Sequence, residues 1–226
     1  MLSYHNKEYC LEISGKEACF TRPEMKVERV SYDIITPSAA RAIYQSIFWK
    51  PAIRWHITRI EVMNPIKWLS FRRNEIGSLM SHRTQGLYIE KNRQQKASLI
   101  LKDVRYRIYA EMEFIPVKDR LNEKNNTGDF HQDENPGKYY AMFERRARKG
   151  QTFNQPYFGC REFAADFEYI EDPVKEDGIP EDRDLGYMLY DMDYTDETNP
   201  QPMFFRAIMK QGVIEVPPVN SKEVLR

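Results

Sequence analysis

The chain has 226 residues, of which 41% are hydrophobic and 30% are charged, and its formal net charge is zero. This size allows one large domain, or one domain with a smaller appendage, and the composition supports a core beneath a hydrated surface. No stretch approaches 18 uninterrupted apolar residues, and no cationic run precedes an apolar segment at the N-terminus, so neither a membrane span nor a secretory signal is expected. The three cysteines have no CxxC spacing and are too few for a disulfide scaffold, which favours a reducing cytoplasm.

The zero net charge conceals a gradient along the chain. Residues 1–115 carry 19 Lys+Arg against 12 Asp+Glu, a net charge of +7, whereas residues 171–226 carry 6 against 13, a net charge of −7. A basic front and an acidic rear predict that any polyanion binds to the first two thirds of the chain. A mixed, solvated surface explains the same numbers equally well.

Six segments in the first 170 residues have the hydrophobic pattern of a strand or a helix. In chain order they are a strand over 7–14, a helix over 37–49, strands over 53–64 and 98–116, a helix over 138–149 and a strand over 160–170. Thr36 and Pro37 suit the N-cap and first position of the first helix, and Gly150 suits the C-cap of the second. The order β-α-β-β-α-β is that of the ferredoxin-like fold, which RNA-recognition modules share.

Two connecting segments stand out by their composition. Residues 67–96 are basic and contain Gly77 and Gly86, and we interpret them as a functional insertion because structureless stretches of this length are unusual in compact domains. Residues 118–137 are polar and rich in Asn, Asp and Gly, which predicts a mobile loop.

An acidic segment with Pro and Gly begins near residue 171 and predicts a linker. The two apolar segments that follow, 185–194 and 202–217, are predicted to form a small antiparallel sheet. The expected fold class is therefore α+β, with a ferredoxin-like (RRM-like) domain over 1–170 and a C-terminal β-sheet domain over 171–226.

Basic side chains concentrate in three segments, 20–32, 72–74 and 145–161. Cations beside aromatic rings can follow phosphates while the rings stack on bases, and arginines can hold a phosphate through two hydrogen bonds. The candidate RNA-binding residues are Arg22, Lys26, Arg29, Arg41, Lys50, Arg72, Arg73, Asn74, Arg145, Arg148 and Arg161. A solvated edge, a salt-bridged turn with Glu75, or cations that stabilise a helix C-terminus would account for the same residues.

The familiar motifs of metal and cofactor chemistry do not occur in the sequence. The four histidines have neither HExxH nor HxH spacing, and there is no Walker A motif, no GxGxxG after a strand and no GxSxG. We therefore expect no metal site and no cofactor.

Segments along nearly the whole chain resemble, in order, one known family. They are ACFTRPEMKVERVSYDIITPSAARAI, IFWKPAIRW, FRRNEIGS, NRQQKASLILKDVRYRI, GKYYAMFERRARKGQ, GCREF, RDLGYMLYDMDY and FFRAIMKQGVI. The family is the CRISPR-associated Cas-five family of the type I-C (Dvulg) subtype, in the RAMP superfamily. The resemblance implies a ferredoxin-like domain followed by a C-terminal β-sheet.

The resemblance also implies an activity and partners. Members of this branch cut the precursor CRISPR transcript at the base of each repeat hairpin without a metal ion. They then stay on the 5′ handle of the guide RNA, beside the other subunits of a surveillance complex that serves antiviral defence. The implied partners are therefore the repeat RNA and those subunits, with no role for a membrane.

The family's cleaving positions are the aromatic residue of an IYWKP-like motif and the Lys-His pair of a GKH motif. In this chain they correspond to Phe48, Lys138 and Tyr139, with Tyr140 alongside. Cleavage needs a base near the ribose 2′-OH, an acid near the 5′-oxygen and a cation on the phosphate. Phe48 has no proton to move, and an ordinary tyrosine, with a pKa near 10, is a poor base at neutral pH. Lys138 is expected to stabilise phosphate charge or to lower the pKa of Tyr139.

Other hydroxyl or imidazole groups, on Tyr44 and His131, are further candidates to reach the site. The two substitutions leave open a second reading, a non-catalytic subunit that holds the RNA handle while another nuclease cuts. A third reading, a general RNA-recognition protein outside CRISPR, rests on the fold alone.

Overall fold

A computed structural model describes residues 6–25, 27–83, 86–116, 120, 135–173, 178–196 and 198–226. The elements, in chain order, are β1 (Lys7–Ala18), β2 (Arg29–Val30), α1 (Pro37–Ile47), β3 (Ile53–Val62), β4 (Lys67–Ile76), α2 (Ile89–Asn92), β5 (Arg93–Phe114), α3 (Pro136–Arg148), β6 (Asp166–Ile170), β7 (Arg183–Asp193), β8 (Gln201–Met209), β9 (Val213–Glu215) and β10 (Val224–Leu225). The described strands form one large sheet and one sheet of three strands.

The large sheet is built on the strand order β6-β1-β5-β3. Each of these neighbours is antiparallel, with Leu11 opposite Ile108 and Tyr169, and Ile60 also opposite Ile108. In order of appearance the four strands are the fourth, first, third and second, which is the ferredoxin-like arrangement. The predicted fold class is therefore confirmed.

Both long helices cover the same face of this sheet. Trp55 of β3 lies 4.7 Å, between ring centroids, from Tyr44 of α1 and from Phe143 of α3, and all three are buried. Tyr9 of β1 completes the aromatic cluster at 4.7 Å from Phe143. Such close, edge-on or tilted pairs add to the stability that burial provides, so the cluster holds both helices on the sheet.

Local sequence determines where the helices begin and end. The hydroxyl of Thr36 accepts a hydrogen bond from the Ala39 amide, and Pro37 opens the helix. At the end of α3, Gly150 has φ 62°, its amide donates to Ala147, and the Gln151 amide donates to Arg146. This pair of backbone hydrogen bonds is the Schellman motif, in which glycine adopts a left-handed conformation at low energetic cost.

The basic insertion proves to be a β-hairpin. Its first arm is β4, and its second arm is the start of β5. The two arms are antiparallel, with Ile76 opposite Arg93 and Lys67 opposite Lys102. The alternation in 98–116 predicted all of β5 except its first five residues, because Arg93 to Lys96 are polar on both faces and carry no apolar periodicity. The last strand of the ferredoxin-like core is likewise shorter than expected, since β6 begins at Asp166.

The C-terminal segment contributes to both sheets. β7 and β8 pair in the three-stranded sheet, as the apolar pattern of 185–194 and 202–217 predicts, and β10 joins them from outside those segments. β9, which lies within 202–217, instead pairs with β3 in the large sheet. Buried residues of this segment, such as Met188 and Phe205, belong to the same hydrophobic cluster as the N-terminal core. Among the described helices, none is long and apolar enough to cross a membrane.

Candidate RNA-processing site

The family's aromatic position, Phe48, lies where α1 meets α3. Phe48 is 0% exposed and caps α1, its amide donating to the Tyr44 carbonyl at 3.0 Å. Its own carbonyl accepts a hydrogen bond from the indole of Trp55 at 3.0 Å. Phe48 is therefore a packed core residue, and its ring can act only on groups that it touches inside the protein.

The family's imidazole position, Tyr139, packs on that ring. The centroid of Tyr139 lies 6.4 Å from Phe48 and 5.9 Å from Phe114 at the end of β5, and its side chain is half-buried. Three elements thus meet at the first turn of α3. The structure brings together two of the positions that the resemblance singled out.

The next tyrosine, Tyr140, is also half-buried. Burial raises the pKa of its hydroxyl above the ordinary value, and the nearby Lys7 ammonium only partly opposes this effect. A phenol is protonated at neutral pH whether its pKa is ordinary or raised, so Tyr140 has a proton to donate but is not available as a base.

Lys138 lies in the first turn of α3 and is exposed. Asn135 caps this helix by accepting a hydrogen bond from the Gly137 amide at 2.8 Å, and the Lys138 amide donates to the Asn135 carbonyl. The ammonium group has no hydrogen-bonding partner among the described residues, and the positive end of the helix dipole lies beside it. The chain therefore offers a phosphate one exposed cation directly next to Tyr139.

Arg146, which is not among the predicted RNA-binding residues, holds this junction together. Its guanidinium donates to the Ile47 carbonyl at 3.1 Å and lies 5.4 Å from the centroid of the Phe48 ring. A cation at the C-terminus of α1 is favourable for the helix dipole. The i, i+3 spacing from the buried Phe143 could have indicated that Arg146 faces inward.

The candidate Tyr44 and the strand residue His56 both have partners inside the protein. The Tyr44 hydroxyl is fully buried and donates towards the carbonyls of Ile108 at 2.7 Å and Tyr9 at 3.0 Å. His56 lies 2.7 Å from a Glu113 carboxylate oxygen and lowers the pKa of that carboxyl, in keeping with a structural role. His131 lies outside the described residues.

Several of the predicted RNA-binding arginines have carboxylate partners inside the protein. Arg22 bonds to Asp33 at 3.1 Å and lies over the Tyr32 ring. Arg29 and Arg73 both donate to the Glu162 carboxylate, at 3.3 and 2.9 Å.

Arg73 also lies 3.2 Å from Glu75, as the salt-bridge alternative predicted, and the pKa of Glu75 is lowered, chiefly by its hydrogen bond with Lys96. An arginine of this kind joins segments of the fold and has fewer donors left for RNA.

Two further arginines also join distant elements. Arg41 of α1 binds Asp191 of β7 through two hydrogen bonds of 2.7 and 2.8 Å, and so connects the large sheet with the small one. Arg148 at the end of α3 donates to Glu171 at 2.6 Å. Whether these arginines also bind RNA remains a prediction.

The remaining candidates are exposed to solvent. Those without a hydrogen-bonding side-chain partner among the described residues are Lys50, Arg72, Asn74, Arg145 and Arg161. Lys26 lies outside the described residues. These five side chains have their donors available, which is what phosphate or base contact requires.

The β4–β5 hairpin has two unlike faces. Leu69, Phe71 and Arg73 turn towards the core, whereas Trp68, Arg72 and Asn74 alternate on the outer face. On β5, Ala97 and Gln95, which lie opposite Arg72 and Asn74, are exposed as well, whereas Leu101, opposite Trp68, is buried. This face combines a half-exposed indole, a guanidinium and amide groups, the chemistry that suits RNA bases and phosphates.

The face of the large sheet opposite the helices is different again. Cross-strand pairs place Arg107 between Glu12 and Glu61, and Glu12 accepts hydrogen bonds from both Arg107 and Arg105. Arg59 lies over the Tyr109 ring on this face. In RRMs this face carries the stacking aromatics, but here carboxylates balance the cations, so this surface is poorly suited to a polyanion.

Among the described residues, no group of three or more His, Cys, Asp or Glu side chains could hold a metal ion. The arrangement at the first turn of α3 instead offers one exposed cation and two tyrosine hydroxyls, on a rigid aromatic base. Such a set can stabilise phosphate charge and exchange protons with ribose and leaving-group oxygens.

Comparison with known proteins places this geometry in a family. The family model described as CRISPR-associated protein (Cas_Cas5) matches residues 8–217. A protein of Mannheimia succiniciproducens named CRISPR pre-crRNA endoribonuclease Cas5d is 48% identical over 96% of this chain and 97% of its own length. A protein of Thermus thermophilus with the same name is 36% identical over 96% of this chain and 94% of its own.

A solved structure titled as a CRISPR-associated protein has the same fold. It matches with a TM-score of 0.71 at 24% identity, and the match covers 99% of this chain and 98% of that one. Family model, sequence identity and fold agree over nearly the whole length. The chain therefore belongs to the Cas5 family of CRISPR-associated proteins, in its Cas5d branch.

Proposed function

We propose that this chain is a pre-crRNA endoribonuclease that cuts the repeat of a precursor CRISPR transcript and stays bound to the product. The observation that carries the proposal is the 48% identity, end to end, with a protein named for that activity. Lys138, next to Tyr139 at the first turn of α3, supplies the phosphate-binding cation that such a reaction needs.

The reaction is a transesterification within the RNA. The ribose 2′-oxygen loses its proton and attacks the adjacent phosphorus, the bond from phosphorus to the 5′-oxygen breaks, and that oxygen gains a proton. Lys138 stabilises the charge on the phosphate. The adjacent Tyr139 serves as the base for the 2′-hydroxyl, and Tyr140 serves as the acid for the 5′-oxygen. Phe48 positions Tyr139 through ring contact and takes no part in proton transfer. The products are a 2′,3′-cyclic phosphate and a 5′-hydroxyl.

The RNA-binding surface in this proposal is the set of exposed donors around the hairpin and the end of α3. Arg72, Asn74, Arg145 and Arg161 support it by their exposure, and the net charge of +7 in residues 1–115 supports it by attraction. We assign RNA binding and processing to residues 1–170, with 171–226 as a supporting β-sheet domain.

The implied partners and location follow from the same proposal. Leu79 and Met80 at the tip of the hairpin are 95% and 75% exposed, which suits contact with neighbouring subunits of a surveillance complex. Cys10, Cys19 and Cys160 are free thiols, in keeping with work in the reducing cytoplasm.

A cleavage assay on repeat RNA in excess EDTA tests the activity. We expect two products whose 5′ fragment ends in a cyclic phosphate, at the same rate with and without EDTA. An RNA with a 2′-deoxyribose at the cleaved nucleotide is the matched control and should bind without being cut. Intact RNA after long incubation with active, folded protein would refute the enzyme assignment.

A second function, a non-catalytic handle-binding subunit, is favoured by one observation. Phe48 lacks the family's hydroxyl and is fully buried, so it can supply no proton to the reaction. In this case the same assay shows tight, salt-sensitive binding of the repeat and no product.

A further inference from the structure

A groove of about 470 Å³ separates the two sheets. One wall is one side of α1, from Pro37 to Gln45, with residues 53–57 of β3, and the other is residues 190–193 of β7 with Tyr194 just after it. The volume falls within the usual range for small-ligand sites, about 300–1,000 Å³. None of the RNA-binding predictions except Arg41 lies in it.

Both walls are unpaired strand edges among the described residues. β9 pairs with β3 only from Arg59 to Glu61, which leaves Ile53 to Ile57 with β5 as their one neighbour. β7 is the outer strand of the small sheet, whose order is β10-β8-β7. The groove therefore presents backbone donors and acceptors from two sides.

Two large aromatic side chains line the groove and face solvent. Trp49 at the end of α1 is 56% exposed, and Tyr194 just after β7 is 61% exposed. The apolar floor includes Ile53 and Met203. Exposed aromatic rings above an apolar floor are the setting in which unpaired bases stack, because every base has a flat π face.

The charges in the groove are almost balanced. Asp191 is neutralised by Arg41, and Asp193 lies 3.6 Å from the Arg226 guanidinium. Arg54, 56% exposed, adds a cation that is only loosely paired, at 3.6 Å from Glu113. A nearly neutral groove suits an uncharged base, and the exposed Arg54 guanidinium at the groove can contact that nucleotide's phosphate. Such a groove is less suited to a nucleic-acid backbone that contributes only phosphates.

Two chain segments run from the groove to the candidate cleavage site. Trp49 follows Phe48 in the chain, and Ile115, which lines the groove, follows Phe114, whose ring contacts Tyr139. The groove therefore borders the aromatic junction that supports Tyr139, which places it beside the candidate cleavage site.

We propose that the groove between β3 and β7 binds the unpaired nucleotides next to the cleaved bond, with bases stacked on Trp49 and Tyr194. This proposal rests on the proposed function and extends it. It gives the enzyme a second contact with single-stranded RNA, separate from the basic hairpin, and so makes the unpaired flank part of what is recognised.

Binding measurements with two RNAs test the groove. One RNA is the repeat hairpin with its unpaired flanks and a 2′-deoxyribose at the cleaved nucleotide, and the other is the same hairpin trimmed to its duplex. We expect Trp49→Ala and Tyr194→Ala each to weaken binding of the flanked RNA about tenfold and to leave the trimmed RNA unaffected. Trp49→Phe should restore most of the affinity.

The matched control is Tyr187→Ala, since Tyr187 lies in β7, the strand that Tyr194 follows, and is 58% exposed but does not line the groove. Its affinity for both RNAs should equal that of the unaltered protein. The thermal midpoints of all variants should agree, because each side chain is largely exposed.

Three results would overturn the groove assignment. Trp49→Ala and Tyr194→Ala could behave like the control on the flanked RNA, or could weaken both RNAs equally. They could also keep their RNA affinity while losing association with purified subunits of the complex, which would assign the groove to a protein segment. If the unaltered protein cuts the repeat in any of these cases, only the groove proposal is refuted. If the unaltered protein neither binds nor cuts the repeat, the proposed function is refuted as well.

Photochemical crosslinking gives an independent readout. 5-Iodouridine placed in the unpaired flank should crosslink to peptides that contain Trp49 or Tyr194, and the same base in the duplex should not. Crosslinks from the flank only to the β4–β5 hairpin would contradict the proposal.

Discussion

The junction of α1 with α3 and the β4–β5 hairpin are built on opposite principles. At the junction, Phe48 and Tyr139 pack against other rings, and Lys138 is the exposed cation. On the hairpin, alternate residues face solvent, so Arg72 and Asn74 are exposed while Arg73 is paired with carboxylates. Chemistry at the junction therefore depends on very few atoms held rigidly, whereas binding at the hairpin depends on many mobile donors. Changes at the junction should affect rate, and changes on the hairpin should affect affinity.

The largest expected effect follows removal of the junction's exposed cation. Lys138→Ala should slow cleavage about 100-fold or more, because one preorganised positive group on the phosphate contributes on that scale. Single-turnover rates at saturating protein measure the effect apart from binding. Lys138→Arg should retain part of the rate, and Lys210→Ala, an exposed lysine beyond β8, should retain all of it. Full activity of Lys138→Ala would exclude this residue from the reaction.

A second change sharpens the role of Tyr139. Tyr139→His should raise the rate at pH 7 about tenfold, because an ordinary imidazole with a pKa near 6.5 is a better base there than a phenol with a pKa near 10. The base is active when deprotonated, so the rate of the variant should rise with pH up to about 6.5 and then level off. Tyr139→Phe is the control and should be nearly inactive; equal activity of Tyr139→Phe and the unaltered protein would show that the base lies elsewhere.

Neighbouring arginines on the hairpin provide a third test. Arg72→Ala should weaken repeat binding about fivefold and reduce the salt dependence by about one counterion, because Arg72 is exposed. Arg73→Ala should change affinity less and instead lower the midpoint of thermal unfolding, because Arg73 bonds to Glu162 and Glu75. The reverse pattern would contradict the division of the hairpin into a binding face and a core-facing one.

The smallest expected effect concerns the stability of the junction. Arg146→Ala should lower the free energy of unfolding by about 1 kcal/mol, through loss of its hydrogen bond to Ile47 and its contact with the Phe48 ring. Arg145→Ala, an exposed neighbour on the same helix, should stay within about 0.5 kcal/mol of the unaltered protein. Urea unfolding curves measure both, and equal stabilities would show that Arg146 does not support the junction.

Short-range features were predictable from the sequence because neighbouring residues determine them. Thr36 with Pro37 marked the start of α1, Gly150 marked the end of α3, and alternation marked the core strands. The order of these elements was enough for the ferredoxin-like fold, since that topology pairs each strand antiparallel to its neighbours. Motifs spread along the chain were enough for the family.

Only the tertiary structure decided which cationic side chains are available to bind RNA and which strand edges line the groove. Arg41 meets Asp191 across 150 positions, and Arg73 meets Glu162 across 89, so no local pattern could separate these arginines from Arg72. The groove lined by Trp49 and Tyr194 exists only because two strand edges are set apart in space. Local sequence sets hydrogen bonds between near neighbours, whereas ion pairs and grooves depend on where distant segments come together in the fold.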